Sequence, residues 1–158
     1  VRRVVEWLEE REDWRNRGDW CALAAVFVVA MAVRVVRIGF PAHIVFDETH
    51  FVGFAMDYLS GRYFFDIHPP LGKLVYAAVF YLAGLRMQPG QEPHRAMIFN
   101  TSVYLAGRIT SAFFGAAHVA MVYLLCRSLD MSRMVALVAA AMPCFDNMMI
   151  VESHFILL

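Results

Sequence analysis

The chain has 158 residues, with fourteen Lys plus Arg against fourteen Asp plus Glu and 60% apolar positions, and its mean hydropathy is +0.54. The apolar content excludes a disordered segment, and the balanced charge argues against the single-sign field of a nucleic-acid binder. Apolar residues are gathered into long blocks rather than alternating at helix or strand period, so an all-α integral membrane protein is the leading class.

In chain order, residues 1–19 carry five arginines and six acids. Val4, Trp7, Leu8 and Trp14 recur at helical spacing, which predicts an interfacial helix. The stretch 20–40 is about 31 Å long as a helix at roughly 1.5 Å per residue, enough to cross a hydrocarbon core of about 30 Å. A cleaved signal peptide is the rival reading, but Arg34 and Arg37 interrupt the small-residue region that cleavage needs. An outer loop of mixed composition follows over 41–103. It contains an apolar run, 71–85, of about 22 Å as a helix, which is short for a crossing. Further spans are predicted over about 104–126 and 134–151. Cys21, Cys126 and Cys144 lie in or beside apolar blocks and suggest neither a disulfide framework nor a metal site. The chain starts at Val1 and stops inside an apolar run, so it is expected to be part of a larger membrane protein.

Charge decides the topology. Five arginines precede the first span, and Arg127 and Arg133 flank the short connection after the second. Both places read as cytoplasmic by the positive-inside rule. An even number of crossings must separate them, so 71–85 is expected not to cross. Asp47, Glu48, His68 and the Arg108 end of its helix then share the outer side with Glu152 and His154.

Four features along this outer side carry chemistry. In Phe46-Asp47-Glu48-Thr49-His50-Phe51, two adjacent acids sit among apolar residues. A wet surface loop explains an isolated acid pair, whereas an apolar surround raises a carboxylate pKa and suits a general base, one acid acting and the other orienting. In His68-Pro69-Pro70-Leu71-Gly72-Lys73, Pro70 suits a first helical position. His68, Lys73 and nearby amides are candidates to face an anion, with a rigid elbow as the plainer reading. Arg34 and Arg108 fall inside spans, where a charge needs a partner or a wet cavity. Arg34 is close enough to its span end to snorkel; Arg108, among small residues, is the better candidate to hold a phosphate. His118 reads as a packed interior residue, and Asp146 with Asn147 as a polar contact inside the bundle.

Together these motifs resemble the protein O-mannosyltransferases. The resemblance rests on Asp47-Glu48-Thr49-His50 with Gly53, on Gly61, Asp66 and the His68–Lys73 run, and on Arg108 with Ser111 and Gly115. It continues in Phe145-Asp146-Asn147 and in Ser153-His154 ahead of Phe155-Ile156-Leu157-Leu158. It covers residues from about 34 to 158 and implies a GT-C-type helical bundle. Three spans and juxtamembrane helices in the first outer loop would belong to this part of it. It also implies an inverting transfer of mannose from a polyprenyl carrier, such as dolichyl phosphate mannose, to Ser or Thr hydroxyls of proteins. The active face would be lumenal or periplasmic, in an endoplasmic reticulum or bacterial inner membrane, with a dimer allowed for. By position, the family's acid pair falls on Asp47 and Glu48 and its span arginines on Arg34 and Arg108. In this scheme Asp47 is the base, Glu48 positions acceptor or base, and Arg108, Arg34, His68 and Lys73 bind the donor phosphate. No metal and no cofactor is expected. His154 stands where the family commonly has Arg, so a positive charge there becomes conditional on pH. The competing readings are another GT-C transferase, moving aminoarabinose or an oligosaccharide, and a non-catalytic membrane subunit.

Overall fold

The computed structural model describes residues 17–45, 47–92 and 101–157, and regular structure among them is helical throughout. The elements are α1 (Arg17–Val35), α2 (Glu48–Ser60), α3 (Pro70–Leu82), α4 (Thr101–Ser128), α5 (Arg133–Phe145) and α6 (Asn147–Glu152). The interfacial helix expected over 1–19 lies, up to residue 16, outside the described residues.

Among the described residues, α1 and α4 are long and apolar enough to cross a membrane. Both carry large apolar side chains on their outer surface, Val28 and Val29 on α1, Phe113 and Met121 on α4. The first helix stops earlier than its apolar block suggests. Arg37 takes a left-handed φ of 57°, which a right-handed helix cannot absorb. Arg34 is therefore in the last turn of α1, and it is 1% exposed, so it does not snorkel to water. The helix over 134–151 is not continuous. Pro143 removes one helical N–H near the end of α5. At Asp146 the backbone is extended, with φ −66° and ψ 122°. The Asp146 carboxylate then accepts the Met149 N–H at 2.9 Å, capping α6. The acid thus ends one helix and starts another. Alone, α5 is about 20 Å long at roughly 1.5 Å per residue.

Three helices close with the same device. At the end of α2, Gly61 N–H bonds to Tyr58 O and Arg62 N–H to Asp57 O; Gly84 and Leu85 do the same to Tyr81 and Phe80 after α3. Each glycine has positive φ, 69° and 102°, as this Schellman geometry requires. Asp130, with φ 59°, fills the same role after α4. At the start of α3, Pro70 occupies the first turn, as its fixed φ favours.

The chain divides into two compact units, one holding the chain up to Val33 and Gly115–Ile150, the other Arg34–Phe114 and Val151–Leu158. In the first, small buried residues of α1 (Ala30), α4 (Ala116) and α5 (Ala136, Ala140) let helices approach closely. Asp19, 4% exposed, accepts from Tyr123 Oη, Arg127 Nε and Arg133 Nε, each at 3.1 Å. The start of α1 and the α4–α5 turn therefore meet at one end of this unit. His118 is exposed on α4 rather than packed inside.

In the second unit, Phe51, Val52, Ala55 and Met56 of α2 pack with Tyr76, Ala77 and Phe80 of α3 and with Val103, Tyr104 and Ile156. Gly107 makes this packing feasible. A Cβ there would lie 2.7 Å from Ile156 Cδ1 and 2.9 Å from Phe80 Cε1, and both side chains are fully buried. Gly107→Ala should therefore destabilise the protein by about 1–3 kcal/mol through overpacking. That outweighs the gain of up to about 1 kcal/mol that alanine brings to a helix interior. Chemical unfolding of the complete gene product in detergent measures it.

Candidate functional site

The second unit gathers the acid pair, and it separates the two acids by environment. Asp47 is the N-cap of α2, but its side chain makes no capping bond, and it is exposed. Glu48, the first residue of α2, is 0% exposed. Its Oε2 accepts the Val45 N–H at 3.0 Å and Arg108 Nη2 at 2.9 Å. Its Oε1 accepts Arg108 Nε and the Ile156 N–H, both at 2.9 Å. A buried carboxylate with four donors is fully satisfied, which is the condition for keeping its charge inside a protein.

Arg108 is equally committed. Besides the two-pronged bond to Glu48, its Nη1 donates to Ile38 O at 2.9 Å and Pro41 O at 3.2 Å, and its Nη2 to His43 O at 3.4 Å. Every guanidinium N–H has an acceptor. The rings of Tyr104 and Phe155 flank its faces at 4.2 and 4.9 Å, adding cation–π attraction. Tyr104 Oη points its proton at the same loop, 2.9 Å from Pro41 O and 2.8 Å from His43 O. In this structure Arg108 binds Glu48 and the loop after α1, with each of its N–H groups engaged. Glu48 is likewise closed off from solvent.

His68 and Lys73 form a second cluster. Lys73, 2% exposed, pairs with Asp66 Oδ2 and donates to His68 O at 2.9 Å. His68 Nδ1 lies 3.1 Å from Asp66 Oδ1. The Lys73 hydrogen bond, aided by His68, pulls the Asp66 carboxyl down to about 2. The Lys73–Asp66 pair therefore contributes its stability fully above the ordinary carboxylate pKa and loses it progressively as pH falls from there through about 2. Lys73 already holds an anion of its own chain. Of the four cations expected at the donor phosphate, Arg34, Lys73 and Arg108 are buried and His68 is half-exposed.

The exposed acid opens onto a cavity of about 610 Å³, lined by Asp47, Phe51, Leu71, Tyr76, Ser111 and Glu152 among others. Tyr76 Oη donates to Leu157 O at 2.6 Å and lies 2.8 Å from Ser111 Oγ. With its proton on Leu157, Tyr76 accepts from Ser111. Burial pushes the Tyr76 hydroxyl above its usual pKa, which favours its protonated form. Asp47 and Glu152 are the carboxylates that line the cavity, and both are exposed. Sequence reasoning missed Tyr76 and passed over Glu152 as a span end. The signal for Tyr76 was its register on α3, six residues after the Pro70 start. Among the described residues no His, Cys, Asp and Glu group could hold a metal ion.

The family described as dolichyl-phosphate-mannose-protein mannosyltransferase matches residues 24–158. Dolichyl-phosphate-mannose–protein mannosyltransferase 4 of Candida albicans is 39% identical over 141 residues, covering 87% of this chain and 18% of that protein. Protein O-mannosyl-transferase 2 of Drosophila melanogaster is 35% identical over 144 residues, covering 90% of this chain and 19% of that protein. Among solved structures, the Saccharomyces cerevisiae protein O-mannosyltransferase Pmt1–Pmt2 complex bound to the sugar donor matches with a TM-score of 0.78 and 32% identity. That match covers 91% of this chain and 20% of that one. The chain thus spans about a fifth of the length of the relatives it matches. With the acid pair and its arginine inside the matched region, the chain belongs to the dolichyl-phosphate-mannose–protein mannosyltransferase family.

Proposed function

We propose that this chain is the base-bearing part of an integral membrane mannosyltransferase that moves mannose from a polyprenyl phosphate, such as dolichyl phosphate, to Ser or Thr hydroxyls of proteins. The observation that carries this reading is the unequal acid pair: Glu48 is fastened to Arg108, and the neighbouring Asp47 is left free at the edge of the cavity. A hydroxyl in that cavity gives its proton to Asp47 as its oxygen attacks the anomeric carbon of mannose. The bond from that carbon to the phosphate oxygen breaks, the electron pair leaves with the polyprenyl phosphate, and the sugar inverts. Phosphate is a good leaving group, so no general acid is required. Asp47 is the catalytic residue; Glu48 and Arg108 position it. His68, exposed near α3, is the residue of the second cluster open to a donor phosphate.

In this reading, 20–158 is the front part of the transmembrane catalytic domain, with α1, α4 and the broken α5–α6 pair as its three traverses. Residues 1–19 are cytoplasmic, and α2 and α3 lie in an outer, lumenal or periplasmic loop. The meeting of Asp19 with Arg127 and Arg133 supports an even number of crossings between them. The structural neighbour is a complex of two protein O-mannosyltransferases, which supports pairing with a second family member. The reading is tested with membranes holding the complete gene product, labelled polyprenyl phosphate mannose and a Ser/Thr-rich peptide. Label in the peptide is expected; transfer of a different carrier sugar, or none, overturns it. For topology, Gln91→Cys in a background with the three native cysteines replaced should react with an impermeant thiol reagent from the outer side. Reaction from the cytoplasm alone would place α3 across the membrane.

A further inference from the structure

The cavity beside Asp47 is electrostatically one-sided. Two carboxylates line it, Asp47 and Glu152, and among the described residues no Lys, Arg or His does. The nearby cations are withdrawn from it: Arg108 and Lys73 are buried and bonded to Glu48 and Asp66. Its remaining polar groups are hydroxyls, and its walls are apolar, with Phe51, Leu71, Val75 and Phe114. Low-dielectric walls strengthen the field of the two carboxylates for anything that enters. An anionic group is repelled there, which disfavours the donor's phosphate as the occupant. The acceptor polypeptide has no such obligatory charge.

Glu152 is the acid available for selection. Asp47 must take the acceptor proton, whereas Glu152 is the exposed last residue of α6. It lines this cavity from the end of α6. We propose that this cavity is the acceptor subsite and that Glu152 makes it select polypeptides with Lys or Arg beside the modified Ser/Thr and reject those with Asp or Glu there. The proposal deepens the transfer reading given above and rests on it.

The test uses membranes with the complete gene product, polyprenyl phosphate mannose and three peptides that share one Thr flanked by Lys, by Ala or by Glu. The expected order of kcat/KM is Lys over Ala over Glu, with a Lys-to-Glu ratio of roughly tenfold at low salt that shrinks as salt rises. In Glu152→Gln the ratio should fall to about twofold, and in Glu152→Lys it should invert. The ratio is read within each variant, whatever its absolute rate. Equal use of the Lys and Glu peptides by the natural protein overturns the proposal. So does a ratio that both Glu152 variants leave unchanged. Failure to modify any of the three peptides, the alanine one included, instead removes the transfer reading itself.

Discussion

Asp47→Asn is expected to lower mannosyl transfer by about 10²–10⁴-fold, the usual contribution of a positioned general base, while leaving the unfolding midpoint of the protein unchanged. Both halves follow from where the residue sits. Its side chain makes no capping bond to α2, and it is exposed at the cavity edge, so the fold does not depend on its charge. Asparagine keeps its size and cannot accept a proton at neutral pH. The loss should fall on kcat more than on KM, because the interaction removed is one that develops as the hydroxyl loses its proton. Initial-rate kinetics with a Ser/Thr peptide measure it. Unchanged transfer would remove Asp47 from the base role and leave the cavity without a proton acceptor other than Glu152.

Glu48→Gln, one residue further on, should do the opposite first: it should destabilise the protein by about 3–5 kcal/mol, the cost of breaking a buried ion pair from one side. Glutamine offers one oxygen where four donors now converge, from Val45, Ile156 and the two prongs of Arg108. Its NH₂ would also point at groups that are themselves donors. The charge left on Arg108, which is 0% exposed, would have only carbonyls to face. Transfer should fall as well, through displacement of Asp47 and not through lost chemistry. Arg108→Lys should not be tolerated either, because a single ammonium cannot span both carboxylate oxygens and three loop carbonyls. Denaturant unfolding in detergent measures both variants, and a stability loss under about 1 kcal/mol for Glu48→Gln would mean that the pair is not the support described.

Much of this was legible in the residues, and what was not has identifiable causes. The apolar blocks located α1 and α4, and Pro70 marked the start of α3, because hydropathy and fixed φ are local properties. The acid pair and Arg108 were also visible as charges that an apolar setting has to account for. Which acid is buried was not visible, since Glu48 turns inward toward a guanidinium sixty positions away in the chain. Arg108 was expected to face a ligand because a lone charge in a span suggests one, and its partners, three of them backbone carbonyls, leave no trace in side-chain composition. The break inside the third predicted span was hidden for a different reason: the apolar composition of 134–151 masks Pro143 and the capping role of Asp146. The burial of Arg34 was not visible because the apolar block continues past Val35, where the backbone turns.

The carbonyls of Ile38, Pro41 and His43 all bend toward one guanidinium, so the stretch leaving the first helix is drawn shut like a purse around a single toggle. The toggle holds only main-chain oxygens, so its grip does not depend on which side chains those three residues carry. An added or missing residue would throw one oxygen out of reach and shift Asp47 with it. Among descendants of this gene, the spacing from the helix exit to that acid should be kept more strictly than the letters that fill it.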